Sequence, residues 1–131
     1  MYMLDTNMCI YVLKNRSERL RHKFKVMKGL CISAVTYAEL CFGIENGVHS
    51  QKADRWRQLE VFTRLLLIEP LDEGVGPTYG RLRAELKSRG AMIGNNDLFI
   101  AAHAQSLGAV LVTNNEREFA RVPDLSVENW L

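Results

Sequence analysis

Short apolar runs recur along this chain, and helical stretches fill the intervals between them. The runs YML (2–4), LCIS (30–33), LLIEP (66–70) and AVLVT (109–113) read as strands, and LSVENW (125–130) as a short edge strand. The spacing predicts helices over 6–14, over the basic segment that Ser17 caps, and over 34–47, 50–65, 72–89 and 96–108. Asn96 is the expected cap of the last helix and Gly108 its stop. Strands that alternate with amphipathic helices build a parallel sheet covered on both faces, an α/β fold. Four to five strands fit a single domain over residues 1–131, and no internal repeat or linker divides it.

In such a sheet the ligand site lies beyond the carboxyl ends of the strands, above all where strand order reverses. Four acids fall at those ends. Asp5 follows the first strand, Glu39 lies six residues past the second, and Asp97 opens the helix before the fourth. Glu118 follows the fourth strand after a polar loop. Each has an ordinary alternative: Asp5 and Asp97 as helix caps, Glu39 and Glu118 as solvated helix residues. The surroundings argue against it for two of them. Glu39 is set among Val35, Tyr37, Leu40 and Cys41, and Asp97 precedes Leu98, Phe99, Ile100 and Ala101. A carboxylate at the rim of so apolar a helix is either satisfied by a partner or functional.

Carboxylates gathered at one edge repel one another, and a divalent cation relieves the repulsion. An all-oxygen donor set suits Mg²⁺ or Mn²⁺. His22, His49 and His103 have no ligand spacing, so nothing favours zinc. Asn7, Thr113 and Asn115, with Asn114, are short polar groups at the same edge, suited to orienting carboxylates. The chain's net charge is only +2, but 14–28 carries seven Lys or Arg against one Glu, and 81–89 four against one. Such stretches fit a polyanion, since phosphate contacts come mainly from Lys and Arg. Acids that hold a metal beside basic stretches point to phosphodiester chemistry.

The segments MLDTNMCIYVLKN, ISAVTYAEL, IGNNDLFIAAHA and LVTNNEREF, with VPDLSVENW at the end, resemble the PIN-domain ribonuclease toxins called VapC over essentially the whole chain. The resemblance implies a three-layer α/β/α fold and a Mg²⁺- or Mn²⁺-dependent endoribonuclease that inhibits translation. It also implies a homodimer, a VapB-type antitoxin that binds it in a hetero-oligomer, and a tRNA substrate, with initiator tRNA cut in the anticodon loop a known target in the family. Asp5 and Asp97 match the family's metal-binding aspartates, and Glu39 its second-motif glutamate. Many PIN domains carry an aspartate nearer Asn115, so Asn115 and Glu118 both stand as candidates for the last catalytic position.

Other α/β readings fail on residue chemistry. A phosphoacceptor domain needs an acceptor aspartate after the third strand, which ends in Pro70. A haloacid-type phosphatase needs Asp-x-Asp, where this chain has Asp5-Thr6-Asn7, and no glycine-rich turn follows the first strand. A non-catalytic binding module on the same fold is the remaining alternative. The retained acids favour the enzyme. The three cysteines, Cys9, Cys31 and Cys41, read as reduced core residues. With no secretory signal and no apolar run of membrane length, a cytoplasmic protein is expected.

Overall fold

The computed structural model describes residues 1–131. Five strands form one sheet: β1 (Tyr2–Leu4), β2 (Leu30–Ser33), β3 (Leu67–Glu69), β4 (Val110–Val112) and β5 (Val127–Glu128). They pair in the order β3-β2-β1-β4-β5, every pair parallel. The helices are α1 (Thr6–Leu13), α2 (Glu18–Val26), α3 (Ala34–Glu45), α4 (Lys52–Thr63), α5 (Val75–Ser88), α6 (Asn95–Ser106) and the short α7 (Glu116–Phe119).

Neighbouring strand residues point to opposite faces of a sheet, and each face here has its own core. Met3, Cys31 and Leu111 pack beneath Leu82 and Leu86 of α5 and Leu98 and Ala101 of α6. Leu4, Ile32 and Val112 pack on the other side against Met8, Leu20, Leu40 and Leu59 of α1 to α4. The result is the expected three-layer α/β/α arrangement. From β1 the chain moves outward to β2 and β3, then crosses back to place β4 and β5 on the far side. The reversal therefore lies between β1 and β4, and everything just past Leu4 and Val112 meets there.

The last residues close one face. Trp130 is 1% exposed, its ring lies 5.3 Å from that of Tyr2, and its indole N–H donates to Glu128 at 3.0 Å. Trp130→Ala is expected to cost about 3–5 kcal/mol, read as a fall in the urea midpoint with little change in slope.

Some boundaries differ from the sequence reading. α5 starts at Val75, not residue 72, because the Asp72 carboxylate accepts from the Gly74 amide at 2.9 Å and holds a turn there. Pro77 then falls in the helix's first turn, where a missing N–H costs nothing. Gly94, rather than Asn96, caps α6, so Asn96 lies inside the helix. The polar loop after β4 contains α7, whose Phe119 is buried. Cys9 and Cys31 are buried thiols, while Cys41 is only half-buried. Burial pushes the Cys31 thiol up to about 12 and that of Cys9 well up, so both stay protonated at neutral pH. No helix is long and apolar enough to cross a membrane.

Candidate active site

Asp5 is a helix cap that also reaches across the sheet. It caps α1, accepting from the Met8 amide at 2.9 Å through Oδ1. Its Oδ2 accepts from the Thr113 hydroxyl at 2.5 Å, a bond that spans the strand-order reversal from β1 to β4. Asp5 is 3% exposed. Burial raises its pKa, the bonds from Thr113 and Met8 oppose that, and the Glu39 charge adds to the rise; burial prevails.

A line of hydrogen bonds runs on from Thr113. Its buried hydroxyl oxygen accepts from the Asn115 amide at 2.9 Å. The Asn115 side-chain amide donates to Glu118 Oε2 at 2.5 Å, and Glu118 Oε1 accepts from the Gly94 amide at 3.1 Å. Asn115 and Glu118 thus stand together, the asparagine holding the glutamate. α7 makes this possible by turning the chain back after Asn115.

Glu39, in the second turn of α3, is held from two sides. Thr6 donates to Oε1 at 2.6 Å and Asn96 to Oε2 at 3.4 Å. Thr6 also meets the buried Thr36 hydroxyl at 3.3 Å, which fixes its rotamer.

Asp97 differs from the other three. It is the third residue of α6, not its cap, and no hydrogen-bond donor reaches its carboxylate. Burial and then the charges of Glu118, Asp5 and Glu39 push it up to about 6. A side-chain carbon at Gly94 would lie 3.7 Å from Asp97 Oδ2 and 3.9 Å from Glu118 Oε1, so the two carboxylates approach one small space. Gly94→Leu is therefore expected to fill that space with apolar carbon and bury Asp97 further. Because burial is the main cause of the raised Asp97 pKa, its measurable sign is a further rise of that pKa, followed by carboxyl NMR titration.

Asn7 lines a cavity with Asn114 and Asn115 but holds none of the carboxylates. It is exposed and bonds to none of them, and its neighbour Thr6 takes the orienting role instead. No site role for Thr6 or Gly94 follows from the sequence, and Asn96 reads there only as a helix cap. Their signal was adjacency to Asp5 and Asp97, but only helix phase decides which of two adjacent polar residues turns inward. His103 is a packing residue: it is 1% exposed, with Nδ1 2.7 Å from Ser33 Oγ, which caps α3.

The four acids offer only oxygen donors. They do not stand as a ready three-residue ligand set, and Asp5, Glu39 and Glu118 each bond to a neighbour. The charge balance is what suits a cation: four acids act on one another, and Asp97 has nothing to offset it. Asp5 and Asp97 are the candidates to hold one.

This geometry can be set beside known proteins. A PIN domain matches residues 2–125. Ribonuclease VapC2 of Haemophilus influenzae is 41% identical over 131 residues, spanning 99% of this chain and 98% of that protein. The chain belongs to the VapC family of PIN-domain proteins. A further VapC relative, the tRNA(fMet)-specific endonuclease VapC of Salmonella typhimurium, is 38% identical over 98% of this chain and 97% of its own length. Among solved structures, VapBC2 from Rickettsia felis bound to a DNA fragment from its promoter superposes with a TM-score of 0.94 at 37% identity. That match spans 99% of this chain and 98% of the other. The DNA-bound VapBC of Salmonella typhimurium also gives 0.94, at 38% identity over 99% and 98%.

Proposed function

We propose that this VapC-family chain is a metal-dependent endoribonuclease, the toxin of a toxin–antitoxin pair, and that it inhibits translation by cutting initiator tRNA in the anticodon loop. The observation that carries the reading is Asp97: a carboxylate without a donor, among three others, at the point where a parallel sheet binds ligands. The ribonuclease and tRNA(fMet)-specific endonuclease names of full-length relatives support the substrate. The VapBC complexes among the structural neighbours support a VapB-type antitoxin as partner.

Asp5 and Asp97 would hold Mg²⁺ or Mn²⁺, which when bound offsets phosphate charge and lowers the pKa of water. Thr113 orients Asp5 across the sheet, and its bond favours the charged form against the effect of burial. Glu39, gripped by Thr6 and Asn96, is placed to take a proton on a carboxylate oxygen as water attacks the phosphate. Glu118, held by Asn115 and the Gly94 amide, keeps Asp97 in a field that favours a cation. The exposed apolar residues Leu65, Leu67 and Ile68 along the β3 edge support self-association as a homodimer. A cytoplasmic location accords with an RNA substrate and free thiols.

Two measurements test this. Mg²⁺ or Mn²⁺ should raise the melting temperature of the wild-type protein and leave that of Asp97→Asn unmoved; an equal response in both would remove Asp97 from the metal site. Total bacterial RNA treated with antitoxin-free protein should show one dominant new end, in the initiator tRNA. Ends scattered over many RNAs would contradict the tRNA reading.

A further inference from the structure

Two surface cavities, of about 570 and 420 Å³, flank α1 and share Ile10 and Arg16 in their walls. Together they make one furrow. At one end stand Asn114 and Asn115, the latter bonded to Glu118; at the other stand Glu39 and Arg55. Each cavity thus includes a residue of the acidic site or a partner of one, and Arg16 lines both. The apolar Leu13, Leu40 and Leu59 line the same cavity as Arg16 and Arg55.

Neither arginine is spent on the protein itself. The ion pairs of the molecule use Arg21, Lys52, Arg57 and Arg64, and no carboxylate pairs with Arg16 or Arg55. Glu39, in the same furrow as both, bonds to Thr6 and Asn96 instead.

Both arginines are also placed by local structure. After α1, Asn15 takes the left-handed φ of 54°, which asparagine tolerates well. Its amide donates to the Val12 carbonyl at 3.1 Å and that of Arg16 to the Tyr11 carbonyl at 3.2 Å. This paired-bond helix stop fixes the backbone of Arg16 beside both cavities. At the far end, a side-chain carbon on Gly47 would come within 2.9 Å of Arg55 Nη1, so the missing side chain leaves the guanidinium its room.

An acidic cluster repels a polyanion, and a strand that must reach it needs cations along its approach. We propose that Arg16 and Arg55 bind phosphates of the RNA strand flanking the scissile bond, with the apolar side chains of the cavity they share receiving unstacked bases. This rests on the ribonuclease reading above and assigns the substrate track of that site. Guanidinium suits the task because its planar fork matches phosphate oxygens.

The test compares wild type, Arg16→Gln, Arg55→Gln and the double variant, with Arg64→Gln, whose arginine pairs with Glu60, as control. Binding of a short unstructured oligoribonucleotide is measured in EDTA across a salt series, and cleavage kinetics and antitoxin affinity are measured separately. Each furrow substitution should lower the salt slope by about 0.7, the value for one single-strand phosphate contact, and the double variant by about 1.4. KM should rise roughly tenfold per arginine, as for loss of one charge-assisted hydrogen bond, with kcat little changed and Arg64→Gln like wild type. A double variant that keeps the wild-type slope and KM overturns the proposal. So does one that keeps both while losing antitoxin affinity, since the furrow would then be a protein seat. Arginine-dependent binding by a wild-type protein that never cuts would support the track and sink the nuclease. Cutting with an arginine-independent slope would do the reverse.

Discussion

Asp97→Asn is expected to reduce RNA cleavage on the order of a thousandfold or more, the scale seen when a central catalytic group is removed, and to raise the protein's thermal stability at neutral pH. The two effects share one cause. Asp97 is pushed up to about 6 by burial and by Glu118, Asp5 and Glu39, whereas an unfolded aspartate titrates near 4. Between those values the folded protein binds more protons than the unfolded chain, so stability falls as pH rises. Protonated Asp97 thus favours the fold fully below about pH 4, and that contribution is lost as pH climbs through about 6. Asparagine cannot ionise, so the variant escapes the loss. Melting curves in EDTA should separate the two proteins at pH 7 and bring them together by about pH 4.5. A variant that melts lower than wild type at pH 7, or that still cuts RNA, would contradict the assignment.

Asp5 gives the second large effect, and two substitutions separate its roles. Asp5→Asn retains an oxygen for the Met8 amide, so the α1 cap survives, while the negative charge is lost and its NH2 faces the Thr113 hydroxyl, which becomes the acceptor of that bond. Cleavage should fall as far as in Asp97→Asn, with the far-UV spectrum and melting cooperativity intact. Asp5→Ala loses the charge and the cap, and leaves the buried Thr113 hydroxyl without its acceptor. The lost cap costs about 1 kcal/mol and an unpaired buried group about 1–3 kcal/mol, so this variant should also melt lower. Wild-type cleavage by Asp5→Asn would reduce Asp5 to a helix cap.

Much of the fold is legible in the chain because its strands are short, apolar and bounded. YML, LCIS and AVLVT have few other uses, and alternation with helices dictates a parallel sheet. The acids could be sorted by a single rule, position after a strand. Their partners could not, since Thr6 and Asn7 are equally polar and only the phase of α1 turns Thr6 toward Glu39. The α7 turn was hidden because four helical residues leave no periodicity to read.

Charge was the least faithful guide. Of the seven cations in the basic run at 14–28, three are engaged elsewhere: Arg19 donates to the Leu131 carbonyl, Arg21 to Asn15, and Lys23 lies 5.8 Å from the Trp130 ring centre, while Lys14 and Arg16 line the cavity with Glu39. In the second run, Arg81 donates to Gln105, Arg83 to Tyr79 and Arg89 to the Arg121 carbonyl. Arg55 stands outside both runs yet lines the furrow beside Glu39. Density along the sequence does not show which way a helix turns its cations.

The central claim is that the acids gathered between β1 and β4 cut RNA. Its most direct test is to incubate purified initiator tRNA with antitoxin-free wild type or Asp5→Asn, each shown to be folded, in Mg²⁺ or Mn²⁺ and in EDTA. The expected result is two discrete fragments from wild type with metal, and intact tRNA in every other lane. Equal cleavage by wild type and Asp5→Asn, or intact tRNA under all conditions alongside cleavage-competent relatives, would contradict it.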